Sequence, residues 1–481
     1  MEKMIESATK HWSSIHCFSD ALDQSNKHVN TQIELLYSVG ELDKFNIIHV
    51  TGTKGKVDQR AFAERILRNS GFRTGFYSSP HLVHVRERIC INGWPISRQL
   101  FTKYFWEAYE QLDDSKAAHG GSMPFYFQFL TMLAFHVFLH KLVDLAGIEV
   151  GIGGEYDCTN IIRKPWVCGV TSLDFDHCNL LSDTMEKIAW QKAGIFKPGV
   201  PAFTVSQQLG ALKVLQDRAE GIGCPLSVCP ELDHYEALVG PLSLGLVEDR
   251  KRFNASLALQ LSNSWLQHTL TDVASCRWRP LFPNIRLQQT EWLGRNQTLR
   301  RGSLTYYVDG AHTSASMKAC VCWFRDQTNA SSFTLLILFL LSGPLCSVSL
   351  FKYVCACGCV CLCASPLQLS TASVCNALSQ CTENQSIWLN LNASQSIHEH
   401  HRHLVISSAL RWIRWVEQPS VACTGMRRFS RVCPQSTEHY DGLRGAGQIS
   451  VLVTGSLYLV GGALKHLDPS LESQGHNSVN L

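Results

Sequence analysis

Residues 45–60, FNIIHVTGTKGKVDQR, carry the densest chemistry in the sequence. A hydrophobic run enters a turn of Gly52, Thr53, Lys54, Gly55 and Lys56 that should open a helix. Backbone N–H groups at a helix start hold phosphate, and a lysine neutralises it. A phosphate loop ordinarily follows its lysine with a small residue and then a Ser or Thr for Mg²⁺, but here Val57, Asp58, Gln59 and Arg60 follow. Valine in place of glycine geometry is expected to strain or open the loop, and Asp58 sets a carboxylate beside a triphosphate.

A second group of residues suits a hard cation. Glu149 closes the apolar run 142–150 and precedes GIGGEYDCTN, where a central parallel strand presents ligand-binding groups. Asp174, Asp176 and His177 follow the run 167–171, and a helix bearing Lys187 and Lys192 leads to KAGIFKPG. A lone His or Lys is ordinarily structural. A Glu, a Ser/Thr position, a His and a Lys at neighbouring strand and helix ends can instead form an oxygen and imidazole site. Arg86, Glu87 and Arg88 read as a solvated charged face, with a loop gripping an acidic substrate as the functional alternative.

These residues require a scaffold that ends several strands at one edge. The pattern gives a strand over 45–50, a helix over 61–69 capped by Gly71, and a strand over 74–77, which is a βαβ unit and implies a parallel sheet. A ribbon turning at Asn92-Gly93 follows, then a buried helix over 125–139 and strands over 142–150, 167–171, 201–205 and 226–228. A helix over 253–266 and a loop over 278–301 precede a strand over 304–308, which ends in DGAH before a helix over 314–325. This restart marks a domain boundary near residue 300. Residues 1–44 are polar, with an amphipathic helix expected over 31–39 and no assignable chemistry.

At 481 residues the chain should hold about two or three domains. With 45% hydrophobic residues, 17% charged residues and a net charge of +3, it lacks the basic field of a nucleic-acid binder. The start MEKMIESATKHWSS has neither a signal-peptide core nor transit-peptide character, so a cytoplasmic protein is expected, a mitochondrial form requiring an alternative start. Of the 20 cysteines, the dense group lies between Cys346 and Cys381, and the others are scattered as in a reduced intracellular enzyme.

NIIHVTGTKGK, TGFYSSPHLVHVRERICING, FLTMLAFHVF, EVGIGGEYDCTN, EKIAWQKAGIFKPGVPAFTV, NASLALQL, YYVDGAH and VLVTGSLYLVGGAL together resemble the folylpolyglutamate synthase family, of the animal type, within the Mur ligase superfamily. The resemblance covers roughly 45–265, 290–325 and 449–466. It implies an α/β architecture: after an extension over 1–44, a P-loop-like ATP-binding domain with a central, mainly parallel sheet over 45–298, and a smaller Rossmann-like domain over 299–481. The implied activity is ATP-dependent addition of L-glutamate to the γ-carboxyl of a reduced folate through an acyl phosphate, with Mg²⁺ and room for a monovalent cation. The implied protein is a monomer without nucleic-acid or stable membrane association.

By the same resemblance, Gly52, Thr53, Lys54, Gly55 and Lys56 bind the ATP phosphates, and Glu149 and His177 are magnesium ligands. Lys192 matches a lysine that is carbamylated in the family, which turns a cation into an anionic group and places Lys192 with Glu149 and His177 at the metal. Asn254 is the adenine-side contact, Arg295, Asp309 and His312 serve the nucleotide from the second domain, and Ser79, His81 and Arg88 belong to the folate-side loop. Lys56, Lys192 and His312 are the implied catalytic groups.

Two departures stand out. The family has Gly-Ser-Thr-Cys where this chain has Val57 to Arg60, so a fold that keeps partial ligand binding without catalysis is the alternative reading. Residues 332–367 include FTLLILFLLSGPLCSVSLFKYVCACGCVCLCASPL, which is expected to disrupt the second sheet. Its 333–351 stretch mimics a membrane span. Repeated GTGTGT encodes Val-Cys-Val-Cys, so this segment reads as translated non-coding sequence such as a retained intron; a correctly spliced transcript that still encodes it would refute that reading. The histidines at 398, 400, 401 and 403 read as a solvated loop.

Overall fold

The computed structural model describes residues 42–115, 123–239, 249–269, 293–302, 304–311, 314–328, 334–340, 353–357, 400–403, 448–455, 457–468 and 471. The helix expected over 31–39 lies outside them. Contacts divide these residues into two compact units, one drawn from 42–80 and 85–269, the other from 81–84 and 293–471.

In the first unit, β1 (Ile47–Thr51) is followed by α1 (Lys56–Asn69), β2 (Thr74–Tyr77), β3 (Ile89–Ile91) and β4 (Trp94–Pro95). Next come α2 (Arg98–Ser115), α3 (Tyr126–His140), β5 (Leu145–Glu149), β6 (Val167–Val170), α4 (Cys178–Leu181) and α5 (Met185–Lys192). The unit ends with β7 (Ala202–Thr204), α6 (Leu209–Ile222), β8 (Leu226–Val228), α7 (Leu232–Val239) and α8 (Asp249–Thr269). The strands form one sheet in the order β4-β3-β2-β5-β1-β6-β7-β8. From β2 to β8 all neighbours are parallel, and β3 and β4 add an antiparallel edge.

Sequence explains the layers. Strands β1, β2, β5 and β6 are buried along their whole length, which suits apolar parallel strands covered on both faces. Helix α3 reads YFQFLTMLAFHVFLH, apolar on nearly every side, and buries eleven of its residues, eight of them in a core shared with α2, β1, β2 and β5. A second core joins β6 to α5 and α6, and α1 packs against α8. Because β1 runs between β5 and β6, the C-terminal ends of all three meet at the point where the sheet's connections diverge.

Two expectations are corrected here. Helix α1 begins at Lys56 rather than 61, and Val57 lies in its first turn. Position 57 thus falls inside a helix, and the glycine geometry of the turn falls on Gly55 instead. Arg86 and Arg88 are buried, not a solvated face. Arg86 donates to the Ile96 carbonyl, and the Arg88 guanidinium lies over the rings of Tyr126 and Phe127.

The second unit contains β9 (Gln297–Arg301), β10 (Leu304–Val308), α9 (Ser314–Thr328), β11 (Thr334–Leu340), β12 (Tyr353–Cys357), β13 (His400–His403), β14 (Gln448–Val453) and α10 (Leu457–Leu467). Its sheet runs β13-β12-β11-β14-β10-β9, parallel except for β9. β9 pairs with β10, so a strand replaces the end of the expected loop. The segment expected to disrupt this sheet supplies two of its strands. Thr334 to Phe339 pair with β14, and Ile337 to Leu340 pair with β12, as an uncharged β-prone run can. The histidines at 400, 401 and 403 form an edge strand on β12 where a loop was expected. No described helix is long and apolar enough to cross a membrane.

Candidate functional site

The site of the first unit is built where β1, β5 and β6 end. After Thr51 the chain turns at Gly52, whose φ is +149°, and at Gly55, whose φ is +88° and which caps α1. Both glycines are required by space as well as by φ. A Cβ on Gly52 would fall on the Thr171 hydroxyl, and one on Gly55 would fall on the Asn254 amide. Thr53 and Lys54 each donate a backbone N–H to the Ser172 carbonyl at 3.1 Å, tying the loop to the chain beyond β6. Lys54 Nζ pairs with Asp176 Oδ2 at 3.1 Å, and Thr53 Oγ1 donates to the Asp174 carbonyl. The first turn of α1, where helical N–H groups lack carbonyl partners within the helix, thus starts from a fixed loop.

Three charged side chains converge here. Lys56 Nζ donates to the Val150 carbonyl at 3.0 Å and stands 3.5 Å from Glu149 Oε1. Glu149 is buried, and neither carboxylate oxygen has a hydrogen-bond partner. Lys192, at the end of α5 and also buried, donates to the Gly52 carbonyl at 2.9 Å. Burial first, then the nearby Lys56 charge, lowers the Lys192 ammonium to about 7, against the pull of Asp176 and Asp157.

The glycine turn after β5 is braced from below. Asp157 accepts backbone N–H bonds from Gly151, Ile152 and Thr159 and the Thr159 hydroxyl, while burial pushes its carboxyl up. The Thr51 hydroxyl donates to the Gly153 carbonyl at 2.6 Å. His49 Nε2 shares a hydrogen bond with Thr159 Oγ1, and burial lowers the imidazole to about 3, so it is neutral. Sequence reasoning passed over Asp157, Thr51 and His49; the one available signal was an aspartate two residues before a threonine, the spacing of an Asx turn.

The substituted residues also have partners. Asp58 Oδ2 accepts from Asn254 Nδ2 at 3.0 Å, so the carboxylate is directed to α8. Arg60 donates to the hydroxyl of buried Ser78, joining α1 to the chain that follows β2. Asn254, expected at the adenine side, is therefore beside both Gly55 and Asp58.

His177 is the expected ligand that stands apart. It begins α4 with a φ of +52°, its side chain is 48% exposed, and its Nε2 is 3.9 Å from Asp176 Oδ1. Among the described residues no three His, Cys, Asp or Glu side chains gather as a metal cluster. Glu149 nevertheless fits a magnesium ion. Its two orphaned buried oxygens are hard acceptors, and Mg²⁺ commonly takes one or two carboxylates, with waters and substrate phosphates completing its shell.

Ser79 follows Ser78 in the first unit, partly buried, close in sequence to buried Arg88. His81 belongs to the second unit. There Asp309 accepts from the Ala311 and Asn296 backbone N–H groups at 2.8 and 3.0 Å, and Gly310 donates its N–H to the Gly294 carbonyl. These bonds bring the turn bearing Arg295 against the DGAH turn. His312 lies outside the described residues.

No family model matches the sequence. The chain is 46% identical to the mitochondrial folylpolyglutamate synthase of Bos taurus over 497 residues, covering 90% of this chain and 85% of the relative. It is 45% identical to that of Homo sapiens, covering 90% and 84%. Among solved structures, Mycobacterium tuberculosis folylpolyglutamate synthase complexed with ADP and AMPPCP aligns with a TM-score of 0.66 at 21% identity, over 96% of this chain and 99% of that one. That likeness shows a shared two-domain α/β fold.

Proposed function

The chain belongs to the folylpolyglutamate synthase family, and on that premise we propose that it joins L-glutamate to the γ-carboxyl of a reduced folate at the expense of ATP. The observation that carries this reading is Glu149, a buried carboxylate without hydrogen bonds, 3.5 Å from Lys56 at the mouth of the glycine loop. The names of the relatives support the substrate class, and the nucleotides in the M. tuberculosis structure support ATP.

The chemistry follows from the groups present. A carboxylate is a poor electrophile, so its oxygen first attacks the γ-phosphorus of ATP, releasing ADP and leaving an acyl phosphate. The glutamate amine then attacks the acyl carbon, phosphate departs, and the nitrogen gives up a proton. Both steps gather negative charge, which the N–H groups at the start of α1 and Lys56 would offset. Glu149, with His177 on the adjoining loop, would hold Mg²⁺, which supplies charge neutralisation to the phosphates when bound.

Lys192 serves in a different way. Its neutral amine, present at about pH 7, can add to CO₂ with loss of a proton, converting a buried cation into a carbamate anion beside Gly52. Asn254 contributes the adenine side, Ser79, His81 and Arg88 the folate side, and Arg295, Asp309 and His312 the nucleotide groups of the second unit. The protein is taken to act as a monomer in the cytoplasm, and its relatives' names support a mitochondrial form.

One observation favours a second reading, a fold that binds ligand without turnover. Asp58 replaces a hydroxyl and is committed to Asn254. Incorporation of labelled glutamate by the purified chain, beside a version carrying Gly-Ser-Thr-Cys at 57–60, separates the two. Turnover in the unaltered chain supports the ligase; turnover confined to the altered one supports the second reading.

A further inference from the structure

Between β1, β5 and α1 lies a small, partly open cavity of about 10 Å³, room for about one water. Lys56, Gln59, Arg60, Phe76, Ile148 and Glu149 are among the residues lining it. Two of them carry polar atoms that are buried and without hydrogen bonds. One is Nε2 of Gln59, a residue 1% exposed; the others are Oε1 and Oε2 of Glu149, 2% exposed.

A glutamine that only filled space at such burial would be better replaced by an apolar side chain. An amide donor and a carboxylate that line one water-sized cavity, whose other walls are mostly apolar, are complementary through a single water. We propose that Gln59 is a positioning residue for Glu149, one water accepting from Gln59 Nε2 and donating to the carboxylate. The water holds the Glu149 side chain in place beside Lys56, in the way that outer partners orient metal-ligating carboxylates.

The consequence for Mg²⁺ rests on the ligase reading, but the link itself does not. A high-resolution crystal structure of the full chain without nucleotide should show one water within hydrogen-bonding distance of both side chains. Gln59→Leu should lose that water and release Glu149 from its position, with Gln59→Met as the second variant should leucine fail to fold. Calorimetric titration of AMPPCP should show the Mg²⁺ requirement rising about tenfold in the variant, with Mg²⁺-free affinity unchanged.

A dry cavity, an unmoved Glu149 in both variants, or equal losses of nucleotide affinity with and without Mg²⁺ would overturn the proposal. Should the unaltered chain bind no nucleotide, the ligase reading falls, while the crystal structures of chain and variant still decide whether Gln59 holds Glu149.

Discussion

The ammonium nitrogen of Lys192 lies 2.9 Å from the carbonyl oxygen of Gly52, so a buried lysine reads the backbone of the phosphate loop directly. Its value of about 7 sits below the usual 10.5 because burial and Lys56 disfavour the charge. A lysine lowered in this way costs stability while folded and unfolded chains are both protonated. That cost fades as pH rises from about 7 toward 10.5, where only the unfolded chain keeps the proton. Urea unfolding across this window should therefore show the unaltered chain gaining on Lys192→Met, by up to about 1.4 kcal/mol per pH unit. A difference independent of pH would mean that Lys192 is not buried with a lowered value. Added bicarbonate should raise turnover of the unaltered chain and leave the variant unaffected.

Restoring Gly-Ser-Thr-Cys at 57–60 should separate stability from turnover. The change removes the Asp58 to Asn254 and Arg60 to Ser78 bonds and places glycine in the first turn of α1. Together these should lower stability by about 1–3 kcal/mol while glutamate incorporation increases. Thermal unfolding and the incorporation assay, run on one preparation, test both halves.

Gly55→Ala should damage the loop more than its small volume suggests. Alanine at a φ of +88° costs about 1–2 kcal/mol, and its methyl must also displace the Asn254 amide. We expect Tm to fall by about 5 °C and nucleotide affinity by about tenfold or more, read by calorimetry.

Asp157→Ala should act on the glycine turn after β5. It leaves the N–H groups of Gly151, Ile152 and Thr159 and the Thr159 hydroxyl without their acceptor. A loss of about 3–5 kcal/mol is expected in urea unfolding, with amide exchange accelerated first at 151–153. An unchanged exchange pattern would show that the turn does not depend on this carboxylate.

Much of the first unit was legible because its signals are local. The run into Gly52 gave β1, Gly71 marked the end of α1 ahead of β2, and Asn92-Gly93, both positive in φ, gave the ribbon turn. Glu149 and Lys192 could be singled out because a charge at the end of an apolar element is conspicuous. Contacts between distant segments were not legible. Arg86 and Arg88 look solvated in sequence, since nothing local shows that Ile96 and the rings of Tyr126 and Phe127 will enclose them. Strand β9 reads QTLRR, with only Leu299 apolar, and is recognisable only through its pairing with β10. Val57 misled for a subtler reason: the helix begins one residue earlier, so the positive φ falls on Gly55.

The borders of the first sheet carry a consequence for behaviour in concentrated solution. Its outermost strands are Trp94–Pro95 and Leu226–Val228, two and three residues long, and Pro95 has no N–H to offer. A strand from another molecule would find few backbone groups to pair with at either border. Self-association through this sheet should therefore be poorly templated, and a change that lengthened β8 into a regular apolar strand would convert a quiet border into a nucleus for aggregation.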